Sequence, residues 1–371
     1  MYEVAIIGGG ISGLALAIDL QRRGYGVVVL EKGAYPRQKV CGEYLSMESY
    51  EYLHAICPAL NDYILPKITH FSLTAGHNKK FSTKLDLGGF GVSRYLLEDL
   101  MYKEAVSHGV KFLLTCKAQD IIKSADGQGY TIKTEQGPIQ ATLVCNATGR
   151  KSNLKVAGNN TNTAGANYVG IKYHVKLARE HNLVEIHNFS GGYCGISDIE
   201  EGKSCLCYIV NAKYLKKAGN SVREMEEAFL YQNSNLKHIF NSAEFITKEP
   251  VTVSGVNFLI KKPVTDDCFY LGDAAGSVAP LVGNGMSMGL RSAWYLAQCV
   301  DQYFSVGMDR QQLNTNYHMF WNKQFATRIK FSRSLQKLSE NPFLASRAIE
   351  LFNVLPMLAN GIIRRSHGTV F

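Results

Sequence analysis

No stretch of 18 consecutive apolar residues occurs, so a transmembrane helix is not expected. The first apolar run, VAII, has no basic segment before it and leads straight into glycines. A secretory signal peptide is therefore not expected either. Closely paired cysteines are scarce. Nine cysteines are scattered singly apart from Cys205 and Cys207, and no CxxC pair is available for a tetrahedral zinc site. No metal is expected, and the odd cysteine count fits reduced thiols and a cytoplasmic location. Basic residues never run beyond pairs, which argues against nucleic acid as a partner although the net charge is +9. Neither HExxH nor a P-loop is present. Tryptophan occurs only at Trp294 and Trp321.

What is present suits a soluble globular protein: 46 % hydrophobic and 19 % charged residues. A chain of 371 residues is too long for one ordinary core and fits two intimately packed lobes. The excess of positive charge favours phosphate-bearing partners such as dinucleotides.

Residues 3–8 (EVAIIG) read as a buried strand, 12–23 as a helix ending at Gly24, and 26–31 (GVVVLE) as a second strand. This is a βαβ unit with run-like strands, the mark of a parallel sheet covered on both faces. A helix over 94–108 and the strand VKFLL follow. A hairpin turning at Asp126-Gly127 then leads back to a core strand, ATLVCNA. Residues 167–260 are strand-rich, with one helix near 221–232, and read as a mostly antiparallel second lobe. Cys205 and Cys207 alternate on one strand and read as buried structural thiols. The strand CFYLG (268–272), a glycine-rich turn and a helix near 284–303 return to the first lobe, and the tail 309–365 reads as helices. The expected division is 1–70, 90–165 and 262–308 for the dinucleotide lobe, 71–89 and 166–261 for the substrate lobe, and 309–371 for a helical C-terminal region.

Gly8-Gly9-Gly10-Ile11-Ser12-Gly13 satisfies G-x-G-x-x-G between a strand and a helix. Gly8 permits the tight turn, Gly10 lets a pyrophosphate approach the backbone, and Gly13 lets helix and strand pack closely. Ser12 lies in the same turn. The helix N-terminus favours the anion. Glu31, eighteen positions past Gly13, closes the second strand, where its carboxylate can accept hydrogen bonds from a ribose. It argues against a 2′-phosphate there, because two negative charges would meet. The fingerprint alone leaves FAD and NAD both open, and a non-enzymatic NAD-binding sensor or scaffold remains an alternative.

A second cluster, Tyr270-Leu271-Gly272-Asp273-Ala274-Ala275-Gly276 followed by Pro280-Leu281-Val282-Gly283-Asn284-Gly285-Met286, resembles the flavoprotein monooxygenases of the para-hydroxybenzoate hydroxylase type. The stretch Pro36-Arg37-Gln38-Lys39-Val40-Cys41-Gly42-Glu43-Tyr44-Leu45-Ser46 resembles the geranylgeranyl reductase branch and its flavin-dependent halogenase relatives. The resemblance implies an α/β fold with a Rossmann-like, glutathione-reductase-type FAD domain, an inserted antiparallel substrate domain and a helical tail. It implies FAD as cofactor, with NAD(P)H as a transient electron donor. Asp273 would accept from the ribityl chain, with helix N-capping as its alternative. The turn Gly283-Asn284-Gly285-Met286 would face the flavin edge, and Gly272 and Pro280 complete that turn region. Arg94, Lys39, Arg37 and Lys32 are the cationic candidates near the phosphates. Ala147, Thr148 and Gly149 would lie beside the adenosine.

Cys41 is the candidate catalytic residue, placed close to the ring, with a packing role as its alternative. His174, His187 and Tyr193 receive no catalytic role. Many relatives have Ala-Asp-Gly where this chain has Ala147-Thr148-Gly149-Arg150, a departure from the NAD(P)H-handling hydroxylases. The Trp-x-Trp-x-Ile-Pro signature of the halogenases is absent, so halogenation is not expected. The reading is an FAD-dependent oxidoreductase: a monooxygenase of a hydrophobic or aromatic small molecule, or else a reductase of isoprenoid double bonds. The tail IELFNVLPMLANGIIRRSHG is expected to pack on the domain, with peripheral membrane contact or a lid over an apolar pocket as alternatives.

Overall fold

A computed structural model describes residues 1–76, 79–125, 127–150, 154, 167–247 and 249–371. In chain order the elements begin with β1 (Tyr2–Ile7), α1 (Ile11–Arg22), β2 (Val27–Leu30), β3 (Tyr44–Ser46), α2 (Tyr50–Ile56), β4 (Lys67–Ala75), β5 (Lys79–Gly91) and α3 (Arg94–Ser107). Next come β6 (Lys111–Leu113), β7 (Ala118–Lys123), β8 (Tyr130–Thr134), β9 (Ile139–Asn146), β10 (Tyr168–Lys176), β11 (Leu183–Phe189), β12 (Gly192–Asp198) and β13 (Ser204–Asn211). Then follow α4 (Ala212–Lys217), α5 (Val222–Phe229), α6 (Ser234–Ser242), β14 (Glu244–Phe245), β15 (Val251–Val256), β16 (Val264–Thr265) and β17 (Cys268–Tyr270). The chain closes with α7 (Gly285–Ser305), α8 (Arg310–Trp321), α9 (Thr327–Ser339), α10 (Pro342–Val354) and α11 (Pro356–Ser366).

The first sheet has a parallel core in the order β6-β2-β1-β9-β17. Counted by appearance in the chain, this is the 3-2-1-4-5 order of doubly wound dinucleotide folds. Every residue of β2 is buried, as a continuous apolar strand covered on both faces must be. Ile6, Val28, Leu143 and Phe269 are completely buried along this sheet, and α1 packs against both α3 and α7. The antiparallel β7–β8 pair hangs on β9, as the expected hairpin. Its turn residue Asp126 lies outside the described residues.

The second sheet runs β14-β10-β13-β12-β11-β4-β5-β3, with β15 also on β10. It is antiparallel except where β4 and β11 lie parallel. Period-two alternation splits β13. Leu206 and Tyr208 join Met225, Leu236 and Phe240 beneath α5 and α6, while Ile209 packs on the opposite face with Ile186, Tyr193 and Val256.

Several elements depart from expectation. The helix expected near 221–232 is α5, which ends at Phe229, and α4 and α6 flank it. Tyr193 lies on a strand of the second sheet, β12, although Gly192 and Gly195 dilute the apolar signal of that strand. Pairing of the second sheet begins before residue 71: β3 pairs with β5, and Lys67 and Ile68 with Phe90 and Gly89. A three-residue strand such as β3 carries no readable periodicity. The tail forms α8 to α11, with a π-helical turn at Asn322–Ala326 joining α8 to α9.

The parallel core predicts a clear stability hierarchy. Ile6→Ala should cost about 2–5 kcal/mol in urea unfolding. Val306→Ala, at a site 79 % exposed, should stay within about 0.5 kcal/mol.

Candidate active site

The strand order of the first sheet reverses between β1 and β9, and a cleft opens beyond the carboxyl ends of these strands. Its volume is about 1080 Å³. Residues far apart in sequence line it together: Gly8, Gly10 and Ser12; Ala147, Thr148 and Gly149; Gly272, Asp273 and Pro280; and Gly283, Asn284, Gly285 and Met286. Gly13 does not line it. That residue is buried where α1 packs against the Gly8 carbonyl, so its role is helix–strand contact. The two glycine-rich turns touch, since a Cβ on Gly272 would fall 2.6 Å from Ser12 Oγ. Gly8 has φ +105, and a Cβ there would meet the Ala147 carbonyl oxygen at 2.5 Å. No side-chain-bearing residue fits that position.

Two helices begin at this cleft, and neither has a side-chain cap. Gly10, with no side chain to offer, precedes α1; Asn284 precedes α7, and its side chain does not bond the helix start; neither first turn is acidic. Helices α3, α5, α8 and α10 are capped by Ser93, Ser221, Asp309 and Asn341, while α2, α9 and α11 also start without a side-chain cap. The first N–H groups of α1 and α7 are thus left for something in the cleft.

Cations reinforce the α1 end. Arg37 and Arg94 both bond buried Glu98, the first at 3.1 Å, and Lys39 Nζ lies 3.5 Å from it. Arg37 also pairs with Glu31 and stacks 4.8 Å over the Tyr35 ring, so it is no solvated surface residue. A Cβ on Gly10 would stand 3.6 Å from Lys39 Nζ and 3.9 Å from Arg94 Nη2. Three basic side chains thus share two carboxylates beside the uncapped helix. Burial, then the charges of Arg94 and Arg37, lower the pKa of Lys39 well below its ordinary value. Arg94 Nε is buried with no hydrogen-bond partner among the described residues. A pyrophosphate answers each of these features. Lys32 is exposed on the lining of the same cleft.

Glu31 departs from the simple ribose role. Gly9 N donates to it at 2.7 Å, Gly33 N at 2.9 Å, and Arg37 bridges both carboxylate oxygens. Burial would raise this carboxyl, but the hydrogen bond and charge of Arg37 outweigh it and hold the pKa low. Its acceptor capacity is filled, so a ribose hydroxyl there must displace one of these donors. Asp273 caps no helix and lies 3.2 Å from Arg150 Nε.

Cys41 lies at the junction of the two sheets. Its Sγ is 3.6 Å from Met286 Sδ, which joins the Cys-Gly-Glu segment to the start of α7. Behind it lies a network that the sequence reading missed. The buried Glu43 carboxylate accepts from Lys172 Nζ at 2.7 Å and from Arg94 N at 2.8 Å, and lies 2.6 Å from His174 Nε2. Lys172 also donates to Gln38 Oε1 at 2.8 Å. Glu43 itself adopts φ +55, a strained conformation for a non-glycine residue that this network holds in place. The one available signal was an acidic residue within a Cys-Gly-Glu turn; nothing in the sequence pointed to Lys172. Glu43, His174 and Cys205 bring donor atoms within 4.8 Å of one another, a spacing that could suit a metal. The Lys172 ammonium already supplies positive charge at that carboxylate.

Cys205 is buried and donates to the Cys41 carbonyl at 3.2 Å, whereas Cys207 is partly exposed on the cleft. Burial pushes His187 down to about 4, and its Nδ1 lies 2.8 Å from Thr74 Oγ1. Ser287, in the spacing Gly285-x-Ser-x-Gly289, is buried in the first turn of α7 and lies 3.1 Å from Ser49 Oγ.

The Glu43 network has a pH signature. Burial would raise the carboxyl, but His174 and Lys172 outweigh it and lower the pKa below the ordinary 4.5. Its contribution is therefore complete above that value and fades as pH falls through the lowered one. Glu43→Gln should cost about 3–5 kcal/mol at neutral pH, by leaving Lys172 buried without its counter-charge. The gap between variant and wild type in urea unfolding should shrink on acidification.

Comparison with known proteins agrees with this geometry. The family model described as FAD binding domain matches residues 1–315. Conditioned medium factor receptor 1 of Dictyostelium discoideum is 22 % identical, over 90 % of this chain and 70 % of its own length. Digeranylgeranylglycerophospholipid reductase of Methanococcus vannielii is 22 % identical, over 92 % of this chain and 88 % of its own. Among solved structures, the flavin-dependent brominase Bmp2 superposes with TM-score 0.78 at 18 % identity, covering 100 % of this chain and 94 % of the brominase. PqsL of Pseudomonas aeruginosa, described as a probable FAD-dependent monooxygenase, superposes with TM-score 0.71 at 14 % identity, covering 94 % and 99 %. With the model matched from the first strand through the start of α8, the chain belongs to the FAD binding domain family.

Proposed function

We propose that this chain is an FAD-dependent monooxygenase acting on an elongated apolar molecule with a polar or phenolic head. The regions 1–70, 90–165 and 262–308 hold the cofactor, 71–89 and 166–261 face the substrate, and 309–371 closes the far end. Bound FAD supplies the electron transfer, with NAD(P)H as the external donor. Arg94, Lys39 and the uncapped start of α1 hold the pyrophosphate. Asp273 accepts from the ribityl chain, exchanging its Arg150 partner for it. The start of α7 faces the electron-rich edge of the ring, and Cys41 packs near that edge.

The observation that carries the substrate class is the continuity of the cleft. From the dinucleotide end it runs on between Phe71, Leu73 and Phe81 of the second sheet and Phe352, Ile362 and Ile363 of the tail. Such walls suit an apolar chain. On the same wall Tyr193, packed in one cluster with Phe71 and Leu73, lines the cleft, with its hydroxyl buried and without a partner among the described residues. A substrate head group that bonds this hydroxyl removes a desolvation penalty of about 1–3 kcal/mol, which a pure hydrocarbon would leave in place.

Reduction of an isoprenoid double bond is the second reading. It is favoured by the apolar length of the cleft and by the likeness to the Methanococcus vannielii reductase. Halogenation is not proposed, since the aromatic signature is absent. A sensor using only the first βαβ unit gives residues 272–286 no role.

A long-chain alkylphenol should stimulate NAD(P)H oxidation with stoichiometric oxygen uptake and a hydroxylated product. Tyr193→Phe should lower kcat/KM for it by roughly tenfold without loss of bound flavin. Anaerobic saturation of a polyprenyl lipid, with no oxygen uptake on the phenol, would select the second reading.

A further inference from the structure

Exposed large apolar side chains are not scattered evenly over this molecule. They concentrate on α10, α11 and the corner between them: Phe343, Leu351, Val354, Leu355 and Met357 all project into solvent, Val354 at 76 % and Met357 at 84 % exposure. A contiguous apolar ridge of this kind marks an interaction surface. The opposite faces of the same helices are also apolar. Ala345, Ile349 and Ala359 pack on Ala75 and Phe81, and Phe352, Ile362 and Ile363 line the cleft. The wall between cleft and solvent is thus one helix thick and apolar on both sides.

Positive charge is concentrated in the same part of the chain. Residues 309–371 contain nine basic and three acidic side chains, which is +6 of the chain's +9. Lys330, Arg333 and Lys337 are exposed along α9, and Arg365 is exposed on α11. The negative charges nearby are engaged. Glu350 pairs with Lys79 and Arg347, and Glu340 accepts from Tyr168 Oη. Leu338 follows Lys337, is 42 % exposed and lines the cleft, so an opening lies beside the basic stripe.

We propose that the α10–α11 corner docks on an anionic lipid surface, with the apolar ridge at acyl-chain level and the α9 stripe on the headgroups. The inference rests on the apolar-substrate reading and extends it, since substrate then passes from the bilayer into the cleft past Leu338. Charge complementarity selects this occupant. A second copy of the chain would bring basic against basic, whereas an anionic bilayer satisfies ridge and stripe together. The attachment is interfacial, because no described helix is long and apolar enough to cross a membrane.

The test is flotation of the holoprotein with vesicles of phosphatidylcholine alone and of phosphatidylcholine mixed with phosphatidylglycerol. The protein should float with the mixed vesicles and be partly released by salt. Combined Val354→Glu and Met357→Glu should reduce flotation at least tenfold, with flavin spectrum and unfolding transition unchanged. Combined Lys330→Glu, Arg333→Glu and Lys337→Glu should abolish the preference for the anionic lipid. Wild-type protein left at the bottom of the gradient, or a ridge variant that floats as wild type does, would overturn the proposal. So would a vesicle-free dimer that the ridge substitutions dissolve, since the ridge would then be a self-interface. A yellow protein that fails to float sinks only this inference; a colourless one that floats sinks the flavin reading and leaves this one standing.

Discussion

Two helices that start without side-chain caps side by side at one cleft are the constraint behind the rest of this architecture. The starts of α1 and α7 leave backbone N–H groups unsatisfied by side chains. The β1–β9 switch point and the contact of Ser12 with Gly272 bring those starts together. Arg37, Lys39 and Arg94 add three basic side chains that share Glu31 and Glu98. The chain alone leaves these groups in an unfavourable electrostatic state. An extended anionic dinucleotide with a polar ring system relieves it at both ends.

The Glu43 network follows from the same constraint. The Cys41-Gly42-Glu43 turn must join the first sheet to the second and still leave room beside Met286. Its strained backbone is held by Lys172 and His174 from β10 and by the first N–H of α3. Buried ionic groups of this kind are costly to desolvate but fix one geometry when each member is paired. Here the geometry fixed is the relative placement of the two sheets across the cleft.

Much of the first sheet was legible in the sequence, since parallel strands buried on both faces appear as unbroken apolar runs and the glycine turns have steric reasons. Nearly all the expected cofactor residues line one cleft for that reason, and Gly13 stays out of it because its role is packing. The second sheet was less legible. Short β3 has no period, and β12 is interrupted by glycines. Lys172 could not be singled out, because a buried lysine differs from a surface one only through its partners, and Glu43 lies 129 residues away in sequence. From spacing alone Glu31 looks like a free ribose acceptor, since its engagement by Arg37 depends on a loop path that spacing does not reveal.

The most direct measurement is FAD binding by equilibrium dialysis of the apoprotein, wild type beside Gly10→Val and Asp273→Ala. The account predicts one FAD per wild-type chain, weakened at least tenfold by either substitution although the two positions belong to turns remote in sequence. Wild-type apoprotein that folds yet takes up no FAD, or binding indifferent to both substitutions, would contradict it.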